Sequence, residues 1–295
     1  MELYNQLVVG VFILLVHGSS IRVVEAQITN FSYPYFNSPD NFSMEGDVQY
    51  YSEVNSFLLN PGATVLSGTS CAGLYYGTKV KMRDAASGAV ASFQTAFTIS
   101  ISGVDYFVDT NGIPFHGDGI AFLFARNITP SGDPGGSMCL LKRANNGLVT
   151  NHLFAVEFDT YQNLGYNDSS NNHIGVNINS MYSKWSYNLC GGSVFNCTYL
   201  VNGGSFTAWI DYDSTTQKLS VYFTNGSLSN MIPKPPKPLI EATQSLSELL
   251  SDDYINVGFS SSTGVFRSKP IERDCSIVWR YSLPNRTGGL KRYWM

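Results

Sequence analysis

What most constrains this chain is the spacing of its apolar residues. They alternate with polar ones in short runs and almost nowhere follow the three- and four-residue spacing of a helix. Ala91 to Ser102 reads ASFQTAFTISIS, with Phe93, Ala96-Phe97, Ile99 and Ile101 as its apolar members. Gly119 to Phe124 (GIAFLF), Leu153 to Phe158 (LFAVEF), Ile174 to Ile178 (IGVNI), Ser205 to Tyr212 (SFTAWIDY), Lys218 to Phe223 (KLSVYF), Tyr254 to Phe259 (YINVGF) and Cys275 to Tyr281 follow. The runs are rich in Val, Ile, Phe and Tyr and are bounded by Gly, Asn, Asp and Ser, as strands between turns are. The best helical candidate, Ser245 to Leu250 (SLSELL), covers one or two turns. Many strands without intervening helices predict an antiparallel all-β sandwich. Their regular spacing predicts one large sandwich, and no internal repeat is visible. The stretch Pro233 to Pro238 (PKPPKP) is read as a surface loop, because strand patterning resumes on both sides; the other reading is a domain linker.

The ends and the cysteines bear on the compartment. Leu7 to Val16 (LVVGVFILLV) is apolar, but a bilayer span needs about 20 such residues. Val24-Glu25-Ala26 supplies a small-residue cleavage site before Gln27, so residues 1–26 are expected to be a secretory signal peptide, although the leader carries Glu2 and no Lys or Arg ahead of its apolar run. A short buried helix is the other reading. No later stretch is apolar enough to span a membrane. Sequons begin at Asn30, Asn41, Asn127, Asn167, Asn196, Asn225 and Asn285. Together these predict a secreted, extracellular glycoprotein, with the tail expected at 283–295. Five cysteines leave at least one unpaired, and Cys190 and Cys197, bracketing a Gly-containing loop, are the expected pair. The net charge of −4 and the absence of a basic patch exclude nucleic acid as the main partner.

Charged residues are only 14% of the chain, so a cluster of them inside strand-like sequence calls for an explanation. Val156 to Ser183 reads VEFDTYQNLGYNDSSNNHIGVNINSMYS. In an extended strand Glu157, Asp159 and Tyr161 face one side. Two carboxylates side by side repel unless a cation lies between them. Asn163 continues the spacing, a loop supplies Asp168, and a new strand starts at His173. Asp and Asn oxygens with a backbone carbonyl suit Ca²⁺; carboxylates with an imidazole suit Mn²⁺ or another transition ion such as Zn²⁺. An EF-hand is excluded, since counting from Asp159 puts Leu164 and Ser170 where Gly and Glu belong. A solvated polar strand face with a lone surface histidine is the competing reading. Gly117-Asp118-Gly119 before an apolar strand and the loop Ser131 to Ser137 (SGDPGGS) are two further places where backbone could approach a ligand closely.

Taken together, these residues resemble the legume-type (L-type) plant lectin domain over nearly the whole chain from 27 to 282. The resemblance runs through Asn30 to Asp47 (NFSYPYFNSPDNFSMEGD), ASFQTAFTISI, HGDGIAFLF, VEFDTYQN, Asn256 to Gly264 (NVGFSSSTG) and Ile277 to Tyr281 (IVWRY). It implies a jelly-roll-like sandwich, the concanavalin A-like lectin fold, that binds glycans or glycoproteins without turnover. It also implies that Glu157 and His173 bind Mn²⁺ and that Asp159 and Asp168 bridge Mn²⁺ and Ca²⁺. Asn163, through its side chain, and Tyr161, through its carbonyl, complete the Ca²⁺ site. Ser183 stands where the family contacts a Mn²⁺-bound water. For the sugar, the resemblance implies Asp118 as acceptor after a cis peptide bond, the Asn163 amide and Gly136 N–H as donors, and the Tyr161 ring as the stacking face. Val265 and Phe266 begin the variable specificity loop. A homodimer through the back sheet is a further implication.

Cys71 and Cys139 depart from the usual pattern of seed lectins, Cys139 replacing a glycine just after Gly136. Asn167 is a sequon inside the metal loop. Two alternatives stand beside a lectin. A jelly-roll glycoside hydrolase would carry E-x-D-x-E, but Tyr161 occupies the place of the second catalytic carboxylate. A soluble relative of a lectin receptor ectodomain, with a signalling or defence role, fits the cysteines and the Pro-rich stretch, without transmembrane and kinase parts.

Overall fold

Alternation along each strand leaves one apolar face to bury, and two such faces close on each other. The computed structural model describes residues 30–282 except 34, 62–68, 86, 103–106, 109–113, 116, 129–131, 192–196, 251 and 265–277, with backbone only at 107–108, 114–115 and 278–282. The expected leader and tail, Cys275, Val265 and Phe266 lie outside the described residues. In chain order the strands are β1 (Asn30–Tyr33), β2 (Phe42–Gly46), β3 (Gln49–Tyr51), β4 (Ser56–Leu58), β5 (Ser70–Tyr76), β6 (Val80–Lys81), β7 (Phe93–Ser100), β8 (Phe107–Val108) and β9 (Pro114–Phe115). They continue with β10 (Gly119–Ala125), β11 (Phe154–Asp159), β12 (His173–Ile178), β13 (Trp185–Asn188), β14 (Ser205–Asp213), β15 (Lys218–Asn225), β16 (Ile240–Thr243), β17 (Tyr254–Thr263) and β18 (Val278–Ser282). One sheet has the order β1-β18-β7-β14-β15-β16; the other has β13-β12-β11-β10-β17-β5-β2, with β6 also paired to β17. Every pairing among the named strands is antiparallel.

The inward rows of both sheets meet in one apolar cluster. Phe97 of β7 packs across the gap, its ring centroid 5.3, 5.8 and 4.9 Å from those of Phe122, Phe158 and Phe259. Each such buried side chain stabilises the fold by roughly 1.5–3 kcal/mol relative to exposure. On the outer face of the six-stranded sheet, Ala96 and Trp209 pack with Leu228, and Tyr222 and Ile232 flank them. Lys234, the first lysine of the Pro-rich stretch, lies 4.0 Å from the Tyr222 ring centroid and pairs with Asp211. That stretch is a β15–β16 loop lying over a sheet face, so a second copy docking there would meet it.

Ser245–Leu250 is a single turn instead of a helix. Leu250 N–H donates to Leu246 O at 2.8 Å, and Leu246, Leu249 and Leu250 insert into the core. One such bond does not repay the cost of nucleating a helix, so burial of the leucines sets the conformation. β2, β13 and β16, which the apolar spacing does not mark, are sheet-edge strands, where one backbone edge is unpaired and the pattern is weak. β17 runs on from Phe259 through the polar Ser260–Thr263, because these pair with β10 and β5 and are buried.

Candidate functional site

Strand register gathers the candidate residues. Directly paired residues of an antiparallel sheet share a face. One row across the eight-stranded sheet reads Asn188, His173, Asp159, Gly119, Ser262, Cys71; the next on that face reads Ser186, Gly175, Glu157, Ala121, Ser260, Gly73. Glu157 and Asp159 therefore share the outer face, as the alternation predicts, while Phe154, Val156 and Phe158 join the core. Tyr161 does not continue that face. β11 ends at Asp159, and Tyr161 N–H turns back to donate to Asp159 Oδ1 at 2.7 Å. An aspartate favours such a turn because its side chain accepts from the backbone two residues on.

Glu157, Asp159 and His173 are at most 1% exposed, and ligand atoms of Glu157, Asp168 and His173 lie within 4.8 Å of one another. Asn177 Nδ2 donates to Glu157 Oε2 at 2.6 Å, and Ser183 Oγ sits between Glu157 Oε1 and Asn177 Oδ1. Gly175 makes room for this arrangement, since a Cβ there would overlap Ser183 Oγ and Glu157 Oε1. His173 Nδ1 lies 2.8 Å from Ser170 O, which fits an N–H at Nδ1 and a lone pair at Nε2. Nε2 is 3.4 Å from Glu157 Oε1 and, among the described residues, has no hydrogen-bond partner. Asn163 N–H donates to Asp168 Oδ2 at 2.6 Å, which ties the loop to the cluster.

The electrostatics are those of carboxylates short of a cation. Burial, then the charges of Glu157, Asp168 and Asp118, push Asp159 well above the usual carboxylate range. Burial lifts Asp168 to about 6 and Asp118 to about 7. Burial alone would lower His173, but the Glu157 and Asp168 carboxylates outweigh it and raise the imidazole. Among the described residues no Lys or Arg pairs with this group. Unpaired buried charges are costly, and a divalent cation among these oxygens and Nε2 removes that cost. The donor set fits hard and borderline ions.

Beside the cluster Asp118 and Asn163 meet the glycine loop 132–141. The Gly117–Asp118 peptide is cis, as the resemblance implies. Asp118 N–H donates to Ser262 O and Asp118 O accepts from Thr160 N–H, each at 3.0 Å. Among the described residues Asp118 Oδ2 and Asn163 Oδ1 are buried and accept no hydrogen bond. Gly136 lies so close to Asn163 that a Cβ would overlap its amide. Gly135 N–H is taken by Ser262 Oγ at 2.6 Å, whereas no hydrogen bond of Gly136 N–H is seen among the described residues. Asp118, Gly136 and Asn163 thus converge with the acidic cluster at one sheet end. Asn167, the sequon of the metal loop, is exposed.

Sequence reasoning missed three supports. Ser260 and Ser262 are buried on the outer face and bond to the loop that carries Gly135, and their alternation in SSST was the available signal. The Cys190–Cys197 pair is present, with Cα atoms 4.0 Å apart. A second disulfide joins Cys71 to Cys139, with Cα atoms 5.8 Å apart across 68 residues.

Fold and topology are those of a jelly-roll-like antiparallel sandwich, the architecture of the lectin structures it superposes on. Residues 28–287 match the legume lectin domain, and the chain belongs to that family. It is 35% identical over 245 residues to L-type lectin-domain containing receptor kinase IV.1 of Arabidopsis thaliana, covering 81% of this chain and 34% of that one. It thus spans about a third of that receptor kinase's length. It is 32% identical to the Lectin-like protein At1g53070 of Arabidopsis thaliana, covering 90% of this chain and 96% of that one. Among solved structures, peanut lectin with a nine-residue peptide superposes with a TM-score of 0.66 at 25% identity, covering 88% of this chain and 98% of that one. The family is one of non-catalytic carbohydrate-binding proteins, so the glycoside hydrolase alternative falls. Among the described residues no helix is long and apolar enough to cross a membrane.

Proposed function

We propose that this chain is a Ca²⁺- and Mn²⁺-dependent lectin acting outside the cell, with residues 27–282 as its binding domain, 1–26 as a cleaved leader and 283–295 as a short tail. One observation carries the metal dependence: Glu157, Asp159, Asp168 and Asp118 crowd one site where, among the described residues, no Lys or Arg pairs with them and only the His173 imidazole faces them. Glu157, Asp159, Asp168 and His173 would hold the transition ion. Asp159, Asp168, Asn163 Oδ1 and the Tyr161 carbonyl would hold Ca²⁺. Bound there, the ions would supply positive charge, and Asp159, Asp168 and Asn163 would hold the loop after β11 to them. Asp118 would then accept from two hydroxyls of a sugar, and Asn163 and Gly136 N–H would donate to it. The Tyr161 ring would stack on its apolar face, and Val265 and Phe266 would shape selectivity. Similarity to receptor kinases supports glycans or glycoproteins outside the cell as partners, in signalling or defence.

A glycan array probed with and without Ca²⁺ tests this reading. Binding is expected to be reversible, to vanish on chelation, and to vanish in Asp118→Ala with little loss of stability. Binding that survives exhaustive chelation or Asp118→Ala would overturn the site assignment.

A further inference from the structure

We propose that the Cys71–Cys139 disulfide is a positioning device for the carbohydrate site: it clamps the loop from Gly132 to Leu141 so that Gly136 stays against Asn163 and Gly135 beside Asp118. The proposal rests on the reading of Asp118, Gly136 and Asn163 as a sugar site.

The loop closes on itself. Gly132 N–H donates to Cys139 O at 2.9 Å, Met138 N–H to Gly135 O at 2.8 Å, and Asp133 N–H to Leu141 O at 3.0 Å. It therefore moves as a unit, and what holds the unit decides where Gly136 sits. Three tethers reach it from β5 and β17. Gly135 exchanges hydrogen bonds with Ser262 Oγ, at 2.6 Å through its N–H and 2.9 Å through its carbonyl. Ser260 Oγ donates to Met138 O at 2.6 Å. The third is covalent: Cys71 lies in the register row of Ser262, Gly119 and Asp159, so the disulfide fixes the loop to the row that carries the acidic cluster.

Hydrogen bonds to serines exchange for bonds to water when the loop lifts, at small net cost. The disulfide does not. Met138 and Cys139 also have φ of 47° and 56°, two consecutive residues with side chains in the left-handed region. That conformation persists where the surroundings over-determine it, and the disulfide acts on one of the two. The tolerance is tight, because Gly136 already touches the Asn163 amide. A small lift of the loop would separate donor and acceptor at that site. The residues proposed to hold metal, by contrast, lie on β11, β12 and the loop between them, and of these only Asn163 meets the clamped loop, through Gly136.

The test uses the full chain and two double variants, Cys71→Ser/Cys139→Ser and Cys71→Ala/Cys139→Gly. The second puts glycine where the left-handed backbone suits it, which guards against a variant that fails to fold. Amide exchange of residues 132–141, Ca²⁺ affinity, and affinity for immobilised galactose, mannose, N-acetylglucosamine and fucose are measured. Exchange in the loop is expected to rise about tenfold or more. Affinity for whichever sugar the wild type binds is expected to fall about tenfold, as preorganisation is lost. Ca²⁺ affinity is expected to fall by clearly less than sugar affinity, because Asn163 alone of its proposed ligands meets the loop. Unchanged loop exchange, unchanged sugar affinity with raised exchange, or a parallel loss of Ca²⁺ affinity would each overturn the proposal. A wild type that binds none of the four sugars, with loop exchange raised in the variants, would sink the carbohydrate reading and leave the loop's anchoring standing.

Discussion

The two faces of the eight-stranded sheet come from one alternation and are opposite in energy. On the inner face Phe154, Val156, Phe158 and Phe122 need only be apolar and fill space. Their burial stabilises the chain whatever else is present. On the outer face Ala155, Glu157 and Asp159 occupy the intervening positions, and the two acids are as deeply buried as the phenylalanines. There burial costs free energy until a cation offsets it. The contrast teaches that depth of burial says nothing of the sign of a residue's contribution, which chemistry decides.

The largest effect expected is on the inner face. Phe122→Ala should destabilise the fold by about 3–5 kcal/mol, from lost transfer energy and a cavity among Phe97, Phe124 and Phe259. Denaturant unfolding checks this, and the loss should be the same with and without Ca²⁺. A loss under about 1 kcal/mol would mean that the core repacks easily.

Next comes the outer face. Asp159→Asn should weaken Ca²⁺ and Mn²⁺ binding, and ligand-linked stabilisation of about 2.7 kcal/mol at a hundred times Kd should disappear. In chelator at pH 7.5 the same variant should melt no lower than wild type, because it removes a buried carboxyl that the fold disfavours in its charged form. A metal-free variant that melts well below wild type would place Asp159 among ordinary structural residues and break the contrast.

A further effect is a pH dependence of that same face. Burial lifts Asp118 to about 7 and Asp168 to about 6, whereas unfolded carboxyls titrate near 4. The metal-free fold therefore binds more protons than the unfolded chain between about pH 4 and 7. The stability these groups contribute is fully present below about pH 4 and is lost as pH rises through 7. With Ca²⁺ the trend should reverse, since ligation requires deprotonated oxygens. Melting curves at pH 5 and 8, with and without chelator, read the crossing; subtracting the Asp118→Asn profile isolates one group. No difference between the two conditions would sink the linkage.

Much of this was legible beforehand, for a physical reason in each case. Period-two runs such as Phe93–Ser100 and Phe154–Asp159 mark strands because one face must be dry. The edge strands β2, β13 and β16 were not marked, because an edge needs no continuous apolar row. SLSELL has helical spacing and forms only a turn, because its leucines answer to the core rather than to each other. Tyr161 was placed one strand step too far, since nothing in its identity announces that Asp159 accepts its N–H and ends β11.

The sequence alone determined the class of fold, since alternation, turn residues and the lack of helical period are local properties that each segment carries by itself. It also nominated the acids, because charge is scarce in this chain and a carboxylate pair on one strand stands out. Only the tertiary structure decided that Cys71 meets Cys139, that Ser260 and Ser262 hold the glycine loop, and that Asp118 and Asn163 both meet that loop. Those contacts join residues tens to well over a hundred positions apart, and register between strands, which no single segment encodes, brings them into line.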